Sequence, residues 1–86
     1  MAQNPTCVDV DGSAYELVAE ERSVSLWLIQ SDTKVWISRI FMDSRHSTES
    51  LPMVEWRDGV LIRPQVVLFF VTEGLLILKD LVDGHG

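Results

Sequence analysis

The residues that could support catalysis lie close together only around His46. This histidine stands between Ser44 and Ser47, so a hydroxyl and a base are neighbours in the sequence. A serine nucleophile needs a base within hydrogen-bond reach and a third group that orients the base. Side chains this close in sequence rarely face one another productively, and 86 residues leave little room for a substrate pocket beside a core. We therefore interpret His46 as a solvated loop histidine and expect no enzymatic activity.

An acidic motif near the start of the chain, Asp-Val-Asp-Gly at residues 9–12, resembles part of a calcium-binding loop. An EF-hand also requires a glutamate six residues after its glycine, where this chain has Val18. Cys7, His46 and His85 do not stand at zinc-ligand spacings from one another. We interpret the motif as an acidic turn and expect neither a metal nor a cofactor.

The composition bounds the class of protein. With 86 residues, 47% of them hydrophobic and 23% charged, the chain is sized for a single folded domain over residues 1–86. The single Cys7 excludes an intramolecular disulfide and fits a reducing compartment. The longest apolar run, residues 66–78, contains Glu73 and is shorter than the roughly 20 residues that a membrane span needs. We predict a cytoplasmic protein without a membrane segment.

Two strand-like stretches form the centre of the expected fold. Residues 24–30 and 34–41 are rich in β-branched and aromatic side chains, and the turn formers of residues 31–33 lie between them. Both faces of this predicted hairpin are apolar, so we expect each face to be covered, as at the centre of a barrel, or to lie at a subunit contact. If Gln30 pairs with Val35, one face carries Trp27, Ile29, Trp36 and Ile40, and the other carries Val24, Leu26, Leu28, Val35, Ile37 and Phe41.

The flanking segments are read from local signals. Ser13 followed by Glu16 fits a capping box and predicts a short helix there, with a short strand as the alternative. The turn dipeptide Asp58-Gly59 predicts a second hairpin between residues 53–57 and 60–63. The polar residues 43–52 predict one long loop, and the ends, residues 1–5 and 83–86, are expected to be flexible.

The C-terminal third is apolar and admits more than one interpretation. Residues 66–71 suggest a buried strand, followed by a helix from about Leu75 to Val82 that ends near Gly84. One continuous helix over residues 66–82, interrupted at Gly74, is the alternative. Taken together, the segments predict a mainly β fold, a small antiparallel sheet or barrel-like domain with one or two short helices. An α+β fold is the alternative.

The abundance of apolar residues predicts a non-catalytic protein-interaction module that self-associates. A domain this small has more apolar surface than one core readily covers, and a homodimer would bury the excess. The first 21 residues carry five acids and no base, which suggests that this acidic third could face a basic protein partner. The residues that we predict for self-association share a helical stripe: Leu75, Leu78, Leu81 and Val82.

Single-stranded nucleic-acid binding by an OB-like or SH3-like domain is the alternative function. Aromatic side chains among basic residues on strands can act as stacking platforms. The net charge of -6 disfavours a nucleic-acid partner. The candidate surface for this function comprises Trp56, Arg57, Arg63 and Arg39.

The sequence around the central hairpin resembles small phage-borne and mobile-element proteins. Leu-Trp-Leu at residues 26–28, the polar turn of residues 32–34 and Val-Trp-Ile-Ser-Arg at residues 35–39 are similar to a pattern in which a turn precedes Val-Trp-Leu/Ile-Pro-Lys-Ser. Ser38 stands where that pattern has proline, and Ile40 where it has serine. The resemblance covers about 16 residues and implies a compact, β-rich accessory protein of bacterial or phage origin, without assigning any site residue.

Overall fold

The computed structural model describes residues 6–43 and 51–83, and within them the chain is a mainly β domain. Five strands form one antiparallel sheet in which each strand lies beside its neighbours in sequence, and one helix packs on a face of the sheet. The elements are β1 (Thr6–Val10), β2 (Ser13–Ala19), β3 (Ser23–Gln30), β4 (Thr33–Asp43), β5 (Leu51–Trp56) and α1 (Pro64–Asp83). The mainly β prediction is confirmed, and the sheet is open rather than closed into a barrel because β1 and β5 are its unpaired edges.

Tight turns set the register of the hairpins. Asp11 and Gly12 join β1 to β2 with φ angles of 54° and 83°, the backbone that a two-residue hairpin loop of type I′ requires. Ser31 and Asp32 join β3 to β4, and Ser31 has a φ of 42°. Gln30 consequently pairs with Thr33 and not with Val35, so the turn is shorter than the sequence predicted.

The core lies between α1 and the sheet. Apolar side chains recur every three or four residues along α1 and form its inner stripe, as an amphipathic helix requires. The buried residues of this inner stripe are Val66, Phe70, Gly74, Leu78 and Leu81. They pack on buried side chains of the sheet, which are Tyr15, Leu17, Val24, Leu26, Ile37 and Ile40.

A β-bulge in β4 fixes which side chains face the helix. Leu26 pairs with Ser38, but the next residue, Trp27, pairs with Trp36, so Ile37 is the extra residue of β4. Ile37 and Ser38 are both buried, at 1% and 0% exposure. The Ser38 hydroxyl donates a hydrogen bond of 2.7 Å to the carbonyl oxygen of Glu55, the residue of β5 opposite Arg39.

The bulge also corrects part of the expected face assignment. Trp27, Ile29 and Trp36 share a face, as the alternation predicted, but Ile40 lies on the helix side and is fully buried. Phe41 takes the opposite face. A single extra residue in β4 therefore reverses the side-chain alternation beyond it.

Ser13–Ala19 is a strand, which bears out the alternative of a short strand and not the helix that the capping signal suggested; the seven residues pair along β1 and β3, and these pairings override that signal. Two further local predictions are wrong. Residues 60–63 form no strand, although Gly59 has the positive φ of a turn. Residues 66–71 are helical, because α1 is one continuous helix that runs through Gly74. The alternative of a single helix is the one that the structure bears out.

The predicted polar loop, residues 43–52, lies only partly within the described residues. Asp43 ends β4, and Leu51 and Pro52 begin β5, so the strands extend further into this segment than expected. Residues 44–50, with Ser44, His46 and Ser47, lie outside the described residues, as do residues 1–5 and 84–86.

Candidate protein-interaction surface

The sheet has a second face, opposite α1, that no element of the described residues covers. We call it the open face. At its centre Trp27 of β3 and Trp36 of β4 are direct cross-strand neighbours, and both are half-buried. The strand register places the following residues on it: Glu16, Val18, Trp27, Ile29, Lys34, Trp36, Arg39, Phe41, Met53 and Glu55.

Each tryptophan of the open face carries a cation of the same chain over its ring. The Lys34 ammonium lies 5.1 Å from the centroid of Trp27, and the Arg39 guanidinium carbon lies 5.7 Å from the centroid of Trp36. Both distances are within the roughly 6 Å at which a ring attracts a cation. The two rings are therefore cation-binding surfaces that the chain itself occupies.

A carboxylate on another strand pairs with each cation: Glu16 of β2 reaches Lys34 of β4 across β3, and Glu55 of β5 pairs with Arg39 of the adjacent β4. Lys34 Nζ lies 2.9 Å from Glu16 Oε1, and Arg39 Nη1 lies 3.8 Å from Glu55 Oε1. The Glu16 side chain is well packed, at 14% exposure, whereas the Lys34 side chain is half exposed. These two cations and two carboxylates balance, so the centre of the open face is neutral within a chain whose net charge is -6.

The indole nitrogen of Trp36 is also distinctive. It is buried and has no hydrogen-bond partner among the described residues. A buried N–H without an acceptor costs free energy. The site thus combines an aromatic surface with an N–H group for which residues 6–43 and 51–83 supply no acceptor.

The outward side of α1 bears a second apolar surface. Leu68 and Leu76 are 69% and 61% exposed, on either side of the exposed Thr72. Residues four apart lie on one side of a helix, so these three are in line along the helix axis. We call the line formed by Gln65, Leu68, Thr72, Leu76 and Lys79 the outer stripe.

The structure places the predicted self-association residues largely inside the chain. Leu78 and Leu81 belong to the inner stripe, at 1% and 9% exposure, and contact the sheet side of the core. Leu75 and Val82 are half-buried and pack against that core. The helical periodicity of these residues was read correctly, but the sequence did not distinguish the side that faces the sheet from the side that faces outward.

The four candidate nucleic-acid contacts do not form one surface. Trp56 lies on the helix side of the sheet, where its ring meets Phe70 edge-on at 6.0 Å and 80°. Arg39 is on the open face, with Glu55. Arg57 is exposed beyond β5, and its backbone N–H donates to the Ile37 carbonyl oxygen at 2.9 Å.

Arg63, the fourth of these residues, belongs to a separate ion pair. Its guanidinium donates to the Asp11 carboxylate in the β1–β2 turn, and joins this turn to the start of α1. The hydrogen bond and the charge of Asp11 raise the pKa of Arg63 above its ordinary value. This arginine therefore has a structural partner within the chain.

Other features of the described residues offer less chemistry. A largely apolar groove of about 240 Å³ lies where the helix meets β4 and β5, and it is lined by Met42, Pro52, Leu75, Leu78, Lys79, Val82 and Asp83. Among residues 6–43 and 51–83, no three His, Cys, Asp or Glu side chains cluster as metal ligands. Within the same ranges, no helix is both long and apolar enough to cross a membrane.

Comparisons with known proteins identify no relative whose surface could be compared with these two. No protein-family model matches the chain, no curated protein matches its sequence, and no solved structure matches its fold.

Proposed function

We propose that this chain is a non-catalytic protein-interaction module whose open face binds a basic segment of a partner protein. The proposal rests on two similar arrangements on the open face, in each of which a tryptophan ring and a glutamate carboxylate contact the same cation. In one, Trp27 and Glu16 hold Lys34; in the other, Trp36 and Glu55 hold Arg39. Each arrangement is suited to a lysine or arginine side chain, and each has such a side chain as its present occupant.

The exchange of these occupants for a partner's cations costs little. Lys34 and Arg39 are 50% and 45% exposed, and exposed ion pairs contribute about 0–1 kcal/mol each. The displaced cations return to water, and the tryptophans then contact the aliphatic portions of the partner's side chains. Tryptophan is among the residues that most often dominate the affinity of protein interfaces.

The charge of the chain supports a basic partner. A net charge of -6 attracts cationic segments over a distance and speeds their association. The same charge repels a polyanion, and the open-face cations are already neutralised by Glu16 and Glu55. Single-stranded nucleic acid, the alternative, is therefore less well matched to this surface.

Binding of a labelled peptide of alternating arginine and glycine, measured by fluorescence anisotropy, tests the proposal. We expect Glu16→Gln to weaken binding about fivefold, because it removes a contribution of about 1 kcal/mol to holding the cation. We expect Lys34→Met to strengthen binding, because it removes the ammonium that competes for Trp27 and Glu16 and keeps an unbranched side chain only one atom shorter. The matched control is Glu73→Gln, which makes the same charge change on the exposed side of α1.

Two results would contradict the proposal. If Glu16→Gln and Glu73→Gln weaken peptide binding equally, the loss of affinity comes from the change in net charge and not from the loss of Glu16 itself. If Lys34→Met leaves the affinity unchanged, Trp27 is not the site that binds the peptide's cation. Binding of a single-stranded oligothymidylate in preference to the peptide would favour the nucleic-acid alternative instead.

A further inference from the structure

We infer that the open face selects a basic segment in the extended conformation whose two anchoring cations stand four residues apart. The inference rests on the proposed function and adds to it the conformation of the partner and the spacing of its charges. Trp27 with Glu16 forms the first cation site, and Trp36 with Glu55 forms the second. The strand register fixes where each site lies on the sheet, so it also sets the distance between the two bound cations.

The register separates the two cation sites both along the strands and across them. Glu16 pairs with Trp27, and Trp27 pairs with Trp36, so these three residues share one level of the sheet. Glu55 pairs with Arg39, which lies one level further along, past the β-bulge. One level is two residues, about 7 Å, and the sites are offset by two strand spacings, about 10 Å. The two bound cations are therefore about 12 Å apart.

An extended segment spans this distance with cations four residues apart. In an extended chain, side chains on one side recur every two residues, so positions i and i+4 are about 13 Å apart. Side chains on adjacent positions point to opposite sides, and only one of the two can reach the open face. In a helix, positions i and i+4 are only about 6 Å apart, and about 12 Å requires a spacing of seven or eight residues. The open face therefore distinguishes segments of equal charge by the spacing of their cations.

A groove beside the first cation site gives an incoming side chain room to enter. Its volume is about 500 Å³, and it is lined by Glu16, Ile29, Ser31, Asp32, Thr33 and Lys34. Within this lining, the carboxylates of Glu16 and Asp32 outnumber the single cation, Lys34. The lining is therefore suited to a positively charged occupant, and Ile29 offers an apolar contact for the aliphatic portion of its side chain.

Labelled peptides of equal charge test the spacing, with binding measured by fluorescence anisotropy at low salt. Two peptides contain two arginines each and threonine elsewhere, because threonine favours the extended conformation. The arginines are adjacent in one peptide and four residues apart in the other. We expect the spaced peptide to bind about tenfold more tightly, since it alone engages both cation sites. A third, alanine-rich peptide carries its arginines seven residues apart, as a helical segment would need, and should bind no better than the adjacent pair.

Variants that remove one cation site test whether both sites produce the preference. In Glu16→Gln the spaced and adjacent peptides should bind with nearly equal affinity, because only the second site remains. Glu55→Gln, in which the replaced carboxylate is half exposed, should abolish the preference in the same way through the other site. The matched control is Glu73→Gln, which makes the same charge change on the exposed side of α1 and should keep the tenfold preference.

Three results would overturn the inference. These are equal affinity of the unmodified chain for the spaced and adjacent peptides, tighter binding of the alanine-rich peptide, and a spacing preference that persists in both Glu16→Gln and Glu55→Gln. Each of them leaves the proposed function standing as long as Glu16→Gln weakens binding more than Glu73→Gln does. If these two variants bind equally well, the proposed function fails as well.

Discussion

Gly74 of α1 lies directly against Ile40 of β4. A Cβ atom added at Gly74 would stand 2.7 Å from Ile40 Cδ1 and 3.3 Å from the ring of Phe70. Both neighbours are fully buried, so neither can move aside easily. The helix can therefore approach the sheet closely at this point only because the residue has no side chain.

The closeness of this contact predicts that Gly74→Ala destabilises the domain, although alanine is the better helix former. Overpacking costs about 1–3 kcal/mol, and helix propensity returns about 1 kcal/mol, so the net loss is about 1 kcal/mol. Urea unfolding measures the difference. The exposed Glu73→Ala on the same helix serves as control, and equal stability of the two variants would mean that Ile40 yields without cost.

The edge-on contact of Phe70 with Trp56 predicts a large and visible effect of Phe70→Ala. Phe70 has no exposed surface, and removing a buried phenylalanine costs about 3–5 kcal/mol. The fluorescence of Trp56 should also change, because its ring loses its neighbour. Leu68→Ala on the outer stripe should leave the unfolding free energy within about 0.5 kcal/mol, provided that the comparison is made on the monomer.

The positive φ of Ser31 predicts that this turn can be stabilised. Asparagine adopts the left-handed region more readily than serine, so Ser31→Asn should raise the free energy of unfolding by about 0.5 kcal/mol. Asp32→Asn, one residue later in the same turn, is the comparison, because Asp32 has no positive φ. Equal gains in thermal denaturation from both substitutions would argue for a charge effect instead.

The Arg63–Asp11 ion pair predicts a small, salt-dependent loss of stability in Arg63→Met. Asp11 raises the pKa of Arg63, so the guanidinium holds its proton more tightly in the folded chain than in the unfolded chain. The stabilisation is therefore fully present below the unfolded pKa of arginine and is retained from neutral into alkaline solution. Denaturation midpoints at low and high salt measure the loss, which should shrink as salt screens the pair; a loss independent of salt would point to packing.

The sequence predicted the centre of the fold because the signals there are local. Two apolar stretches on either side of a short polar turn specify the β3–β4 hairpin without further information. The alternation also placed Trp27, Ile29 and Trp36 on one face. The alternation did not predict the faces of Ile40 and Phe41 correctly. The β-bulge at Ile37 shifts the alternation after it, and no residue type in the sequence indicates that bulge.

The C-terminal helix was harder to predict because its composition argues for a strand. Residues 66–71 are rich in β-branched and aromatic side chains, and Gly74 interrupts the apolar run. Burial decided the outcome, since Val66, Phe70 and Leu78 meet the sheet only when the segment is helical. Tertiary packing of this kind overrides weak intrinsic propensities.

The order of the elements along the chain has a consequence for synthesis. Each strand pairs with the strand before it, so the sheet can form step by step as the chain is made, and contacts between sequence neighbours favour rapid folding. The helix that covers the apolar side of the sheet comes after all five strands. Until α1 leaves the ribosome, the nascent sheet also exposes the apolar side that the helix later covers, and this interval is when the chain is most prone to aggregate or to need a chaperone.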